Sequence, residues 1–86
     1  MFEFDPAKSA ANKRKRGIDF VEAQAMWDDP HLLIIPARTE IEPRFVAVGR
    51  LGDKHWSAVF TSRGDKVRLI SVRRSREQEV DAYEGE

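Results

Sequence analysis

Cysteine is absent from all 86 residues, which excludes a disulfide framework and a thiolate metal site and leaves stability to the core and to any partner chain. Long apolar runs are missing too. Nothing approaches the roughly 20 apolar residues that a membrane span requires, and the opening Met1-Phe-Glu-Phe-Asp5 lacks the basic-then-apolar order of a signal peptide. The expectation is a soluble, cytoplasmic protein with no membrane partner. Glycine-rich phosphate loops and nucleophile elbows do not occur, and the two histidines, His31 and His55, stand apart without the spacing of metal ligands. Neither a metal nor another cofactor is expected.

An excess of one charge sign is also lacking, since fifteen Lys and Arg balance fifteen Asp and Glu. That balance hides a segregation along the chain. Residues 1–18 carry five cations and two anions, residues 19–30 carry four anions and no cation, and residues 61–76 carry six cations opposed only by Asp65. Residues 77–86 then hold five acids and no base. Local fields able to steer a charged partner are therefore expected where the overall charge suggests none. The length permits one small domain, residues 1–86, with a modest core.

Taken in order, Phe2-Glu-Phe4 is a short strand candidate, and Asp5-Pro6 starts a helix: Asp accepts from free backbone N–H groups, and Pro at the next position lacks one of those donors. Ala7, Ala10 and Ala11 favour the helix, Lys13, Arg14, Lys15 and Arg16 sit where its dipole is negative, and Gly17 stops it. Asp19 and Glu22 have the spacing of a capping box, which predicts a second helix with Phe20, Ala23 and Trp27 on a core face beside Val21 and Ala25. Trp27 is read there as packing rather than as a base-stacking platform. Asp28-Asp29-Pro30 ends that helix. His31-Leu-Leu-Ile-Ile-Pro36 reads as a buried strand, Arg44 to Arg50 as another with Phe45 and Ala47 opposite Val46 and Val48, and His55 to Thr61 as a third with Trp56, Ala58 and Phe60 on one face. Thr39 to Pro43 is a polar connection. Lys66 to Arg73 completes a meander, and Ser75 caps a short, weakly anchored helix that has only Val80 and Tyr83 to bury. The predicted fold is α+β: two N-terminal helices on an antiparallel sheet of about four strands, a short C-terminal helix, and one sheet face open for a ligand.

The stretch Thr61 to Arg76 holds the clearest chemistry. Regular alternation places Val67, Leu69, Ser71 and Arg73 on one face of the strand and Lys66, Arg68, Ile70, Val72 and Arg74 on the other, so each face is part apolar and part cationic. Arg suits phosphate because its planar guanidinium donates two parallel hydrogen bonds and keeps its charge. RNA cleavage needs little more, since the substrate's 2′-hydroxyl is the nucleophile and the protein has to orient it and neutralise phosphorane charge. In such an endoribonuclease Arg63, Arg68, Arg73 and Arg74 hold the scissile phosphate, Lys15, Arg16, Lys66 and Arg76 bind RNA along its track, and Tyr83 transfers a proton or stacks on a base. His55 is weighed as a general base near neutral pH, but it abuts a predicted turn and is expected to be a solvated residue. Two other readings stay open: the arginines pair with the acids that follow them, or the cationic sheet docks a nucleic acid or an acidic partner without cutting.

Several motifs in fixed order resemble the BrnT family of toxins: Phe2-Glu-Phe-Asp-Pro-Ala-Lys8, Asn12, Lys15-Arg-Gly-Ile-Asp-Phe-Val-Glu-Ala23, Asp28-Asp29-Pro30, Arg44-Phe45, Val48-Gly-Arg50, Thr61 to Arg74, and Tyr83-Glu84. The resemblance covers nearly the whole chain. It implies a RelE-like ribonuclease fold, RNA cleavage that arrests translation, and neutralisation by a BrnA-type antitoxin whose ribbon-helix-helix part binds DNA. Two toxins flanking an antitoxin dimer are the implied assembly, a heterotetramer that represses its own operon and touches DNA only through the antitoxin. Two positions depart from the family pattern: Arg16 stands where Lys-His-Gly is usual, and Ser62 where Thr-Glu-Arg-Gly is usual.

Overall fold

Helix α1 (Pro6–Arg16) forms as its local chemistry dictates. Asp5 Oδ1 accepts from the Ala7 N–H at 2.9 Å, Pro6 has no N–H to satisfy, and Gly17 adopts φ 83°, a left-handed conformation that glycine enters without steric cost. The computed structural model that shows this describes residues 1–38 and 42–85; most of the polar connection expected over residues 39–43 lies outside them.

The second expected helix is not an α-helix. Asp19 and Glu22 do form the reciprocal cap, with the Glu22 N–H donating to Asp19 Oδ1 at 2.7 Å and the Asp19 N–H to Glu22 Oε1 at 2.9 Å. The chain then winds as a 3-10 helix over Glu22–Asp28. Phe20, Ala23 and Met26 are completely buried, and their recurrence every third residue matches three residues per turn rather than 3.6. Val21 and Ala25, expected on the core face, are exposed.

Strands β2 (Leu33–Ala37), β3 (Arg44–Leu51), β4 (Lys54–Arg63) and β5 (Lys66–Arg74) make the anticipated antiparallel meander. The sheet is nonetheless five-stranded and mixed, in the order β1-β5-β4-β3-β2, because β1 (Phe2–Glu3) adds to β5 in parallel. The unsatisfied outer edge of β5 explains this correction: the Val67 N–H donates to the Met1 carbonyl at 2.8 Å, so the N-terminus supplies hydrogen bonds that four antiparallel strands would leave unmade. Strand β2 also departs from expectation. Its continuous apolar run forms an edge strand rather than a buried one, with Ile34 48% exposed and Pro36 at a position that needs no ladder N–H.

Strand β5 does not alternate regularly. Val59 pairs with Ser71 but Phe60 pairs with Leu69, so Ile70 is an extra residue, a β-bulge. The bulge overturns the face assignment made from simple alternation. Val67, Leu69, Val72 and Arg74 now share one face, and Lys66, Arg68, Ser71 and Arg73 the other. The first face is the core side, where Leu69 and Val72 meet Ala47, Ala58, Trp56, Phe60 and the buried residues Ile18 to Met26. Trp27 packs there as expected, edge-on to Phe2 at 5.1 Å and to Phe60 at 5.5 Å between ring centroids.

Helix α2 (Glu77–Glu84) begins one residue later than expected, with Arg76 at its N-cap. The Ser75 hydroxyl instead meets the Ser57 hydroxyl at 2.8 Å. Tyr83 is buried and Val80 half-buried, as anticipated, but polar contacts anchor the helix more firmly than its sparse apolar face suggests.

Asn12 closes the β5 edge beyond β1. Its Nδ2 donates to the Val72 carbonyl at 2.9 Å and to the Ile18 carbonyl at 2.8 Å, and its Oδ1 accepts from the Val72 N–H at 3.2 Å. One amide therefore presents to Val72 the donor and acceptor that a neighbouring strand would. Asn12→Ala should strip partners from three backbone groups and lower the unfolding free energy by about 2–3 kcal/mol. Urea unfolding would show this as a lower midpoint at an unchanged slope.

Candidate functional site

Residues paired across strands share a face, so the register defines a second side of the sheet, opposite the core. It carries Leu33, Ile35, Val46, Val48, His55, Ser57, Val59 and Thr61, with the cations Arg44, Arg50, Arg63, Lys66, Arg68 and Arg73. Helix α2 covers the end nearest the β3–β4 turn, where Val48 and Ser57 are fully buried. Further along, Ile35, Val46, Val59 and Ser71 are only half-buried, an open floor bordered by Arg44, Arg63, Lys66 and Arg68.

The structure divides the expected phosphate-binding arginines. Lys66 and Arg74 end the same strand, about 26 Å apart at roughly 3.3 Å per residue. Arg63 and Lys66 face each other across the β4–β5 turn, both exposed, and Arg63 makes no hydrogen bond or ion pair with a described residue. Arg68 shares their face but donates to Glu3 Oε2 at 3.0 Å. Arg74 lies on the core side, its guanidinium 5.6 Å from the centroid of the Trp56 ring. Lys15 and Arg16 are exposed in the last turn of α1, and Arg76 is exposed at the start of α2. Arg16 and Ser62, the two departures from the family pattern, are both exposed.

Arg73 is committed within the chain. Its Nη1 and Nη2 donate to the two Glu79 oxygens at 2.7 and 2.8 Å, and Glu79 Oε1 also accepts from the Ser57 hydroxyl at 2.9 Å and the Arg76 N–H at 2.8 Å. The bidentate Arg73 contact is the main cause that holds the Glu79 carboxyl far below its ordinary 4.5, at about 2, and Glu79 in turn raises Arg73. For Arg73 the reading in which the arginines pair with the following acids therefore describes the molecule.

A second centre lies where α2 meets the β3–β4 turn. Asp29 gathers it: Oδ2 accepts from the Tyr83 hydroxyl at 2.6 Å and the Arg50 N–H at 2.9 Å, and Oδ1 from the His31 N–H at 2.8 Å. Burial alone raises the Asp29 carboxyl, but these donors outweigh it and the net displacement is downward. The same hydrogen bond pushes the Tyr83 phenol up to about 12, so it stays protonated and donating at neutral pH. His55 is half-buried rather than solvated, its ring edge-on to Tyr83 at 5.3 Å and its Nε2 2.7 Å from Glu84 Oε2. His31, Arg50, Tyr83 and Glu84 line a cleft of about 200 Å³. Among the described residues, no three His, Asp or Glu side chains are placed to hold a metal ion. Of this group, sequence reasoning selected Tyr83 and weighed His55 as a base before setting it aside as solvated. Arg50 and His55 were within reach, since they flank the β3–β4 turn and must face each other across it.

Over residues 4–79 the sequence matches the family described as the ribonuclease toxin, BrnT, of type II toxin-antitoxin systems. The chain belongs to the BrnT family. A comparison with curated proteins finds no match. Family membership makes this chain one of a set of ribonuclease toxins whose partner is a protein antitoxin, and it gives the open face and the cleft of this BrnT chain a chemical context.

The Glu79 network predicts a pH dependence. A carboxyl depressed on folding contributes stability above its ordinary value, and loses it as pH falls from about 4.5 towards about 2. At about 1.4 kcal/mol per pH unit, Glu79→Gln should cost about 3 kcal/mol at pH 7, with both partners less than a fifth exposed. Urea titrations at pH 7 and pH 2.5 should show that difference largely closing at the lower pH.

Proposed function

We propose that the protein is an endoribonuclease that binds single-stranded RNA along the open sheet face, cleaves it by attack of the substrate's 2′-hydroxyl without a metal ion, and so inhibits translation in the cytoplasm. The observation that carries this reading is the open floor bordered by Arg63, Lys66 and Arg68. Rigid strands there present cations to backbone phosphates beside half-buried apolar groups that suit bases. Lys15, Arg16 and Arg76 extend the track beyond the sheet. Arg73 holds α2 rather than RNA, Arg74 faces the core side, and Tyr83, whose hydroxyl donates to Asp29, acts as a support rather than as a base.

The same face suits the antitoxin. A BrnA-type partner laying an acidic segment across Arg63, Lys66 and Arg68 would replace phosphates with carboxylates, and association would be fast and salt-sensitive. A ribbon-helix-helix dimer carrying two such segments holds two toxins and makes the DNA contacts itself.

Expression without a partner should arrest growth, and purified protein should cleave labelled RNA in EDTA. Arg63→Ala with Lys66→Ala removes two exposed cations, so the fold should stand while KM rises and the log–log salt dependence of RNA binding flattens by about 0.7 for each phosphate no longer neutralised. RNA that is retained yet intact after long incubation would establish a non-catalytic binding module instead.

A further inference from the structure

The polar side chains around the sheet and the cleft divide into those held by a partner within the chain and those that are not. Arg68 and Arg73 are held by Glu3 and Glu79. Arg50 and His31 are exposed, and neither side chain makes a hydrogen bond or ion pair with a described residue. Both border the cleft of about 200 Å³ with Tyr83 and Glu84, and the exposed Arg50 guanidinium there suits a phosphodiester unit, to which it can donate two parallel hydrogen bonds.

We propose that this cleft is the RNA-cleaving centre, with Arg50 on the scissile phosphate, His55 as general base and His31 as general acid; the assignment rests on the ribonuclease reading above. Three observations support it. Asp29 ties the backbones of His31 and Arg50 and the hydroxyl of Tyr83 to one carboxylate, so the lining is fixed before substrate arrives. His55 adjoins the lining rather than forming it, as the register partner of Arg50, and is oriented by two lining residues, the Tyr83 ring and Glu84. A neutral His55 that donates from Nε2 to Glu84 carries its acceptor lone pair on Nδ1, which no described residue occupies. Finally, Arg50 and His55 are register partners on the same side of the sheet as Arg63, Lys66 and Arg68, at the end beyond the part that α2 covers.

The chemistry closes without a further reactant. The 2′-oxygen bonds to phosphorus as its proton passes to Nδ1 of His55, while Arg50 compensates the charge that builds on the non-bridging oxygens. The bond from phosphorus to the 5′-oxygen breaks, and the leaving oxygen takes its proton from His31. The products are a 2′,3′-cyclic phosphate and a 5′-hydroxyl. Glu84 and Asp29 touch no reacting atom and are positioning residues.

The test uses the full chain and two readouts. His55→Gln and His31→Gln should each lower kcat on labelled RNA about 100-fold or more with little change in KM, and Glu84→Gln should lower kcat while leaving the cyclic-phosphate product unchanged. His31 is exposed, so its variant keeps the test decisive should His55→Gln fail to fold. Titration with uridine 3′-monophosphate, followed through the histidine ring signals by NMR, should move both rings in the wild type and neither in Arg50→Ala. Equal cleavage by wild type and both histidine variants would overturn the assignment while leaving the ribonuclease reading in place, as would ring signals indifferent to the nucleotide in a protein that cleaves. RNA left intact by the wild type would remove both.

Discussion

Strand β5 must bury Leu69 and Val72 on the same side of the sheet, and at three residues' separation it can do so only by breaking its alternation. The Ile70 bulge supplies the break. Without it, Val72 and the two residues after it would change sides. Ser71 would replace Val72 opposite Ala58, Arg74 would leave Trp56, and Arg73 would take its place there, away from Glu79. With it, the core side receives Val67, Leu69 and Val72, and Lys66, Arg68 and Arg73 collect on the side left for a ligand. The bulge thus decides the side on which Arg73 lies, and with it the Glu79 contact that holds α2.

On that face the ends differ in how charge is used. At the α2 end the carboxylates of Glu79 and Asp29 absorb donors from several elements, and these polar contacts hold a helix with little apolar surface of its own. Tyr83 contributes both kinds of anchor, a buried ring and a hydroxyl on Asp29. At the other end Arg63 and Lys66 remain available. Such a division suits a molecule that needs rigid groups for chemistry and unpaired charge for attracting a polyanion.

Features governed by neighbours in the chain were legible from the residues alone. Asp5, Pro6 and Gly17 bound α1, and the Trp56, Ala58 and Phe60 face reads directly from alternation. What was not legible depends on partners far along the chain. The bulge shows only when β5 is set against β4, the parallel direction of β1 only when residues 2 and 67 meet, and the edge position of β2 only when the sheet order is known. The Leu32 to Ile35 run carries no mark of its exposure. Asp29 was read as a helix terminator because its roles are set by residues 31, 50 and 83, which only the fold brings together. The capping box at Asp19 was read correctly as chemistry and wrongly as the start of an α-helix, since a cap fixes the first turn and not the winding that follows.

The Asn12 amide has a consequence for how this protein meets other chains. A sheet with two bare edges can recruit a strand on each side, and the recruit can recruit again, which is how fibrils grow. Here Asn12 and the short β1 occupy the β5 edge, so among the described residues the longest edge on offer is that of β2, itself interrupted by Pro36. In the language of polymer chemistry the sheet is monofunctional: it can join one other strand, and the union has no second end from which to propagate.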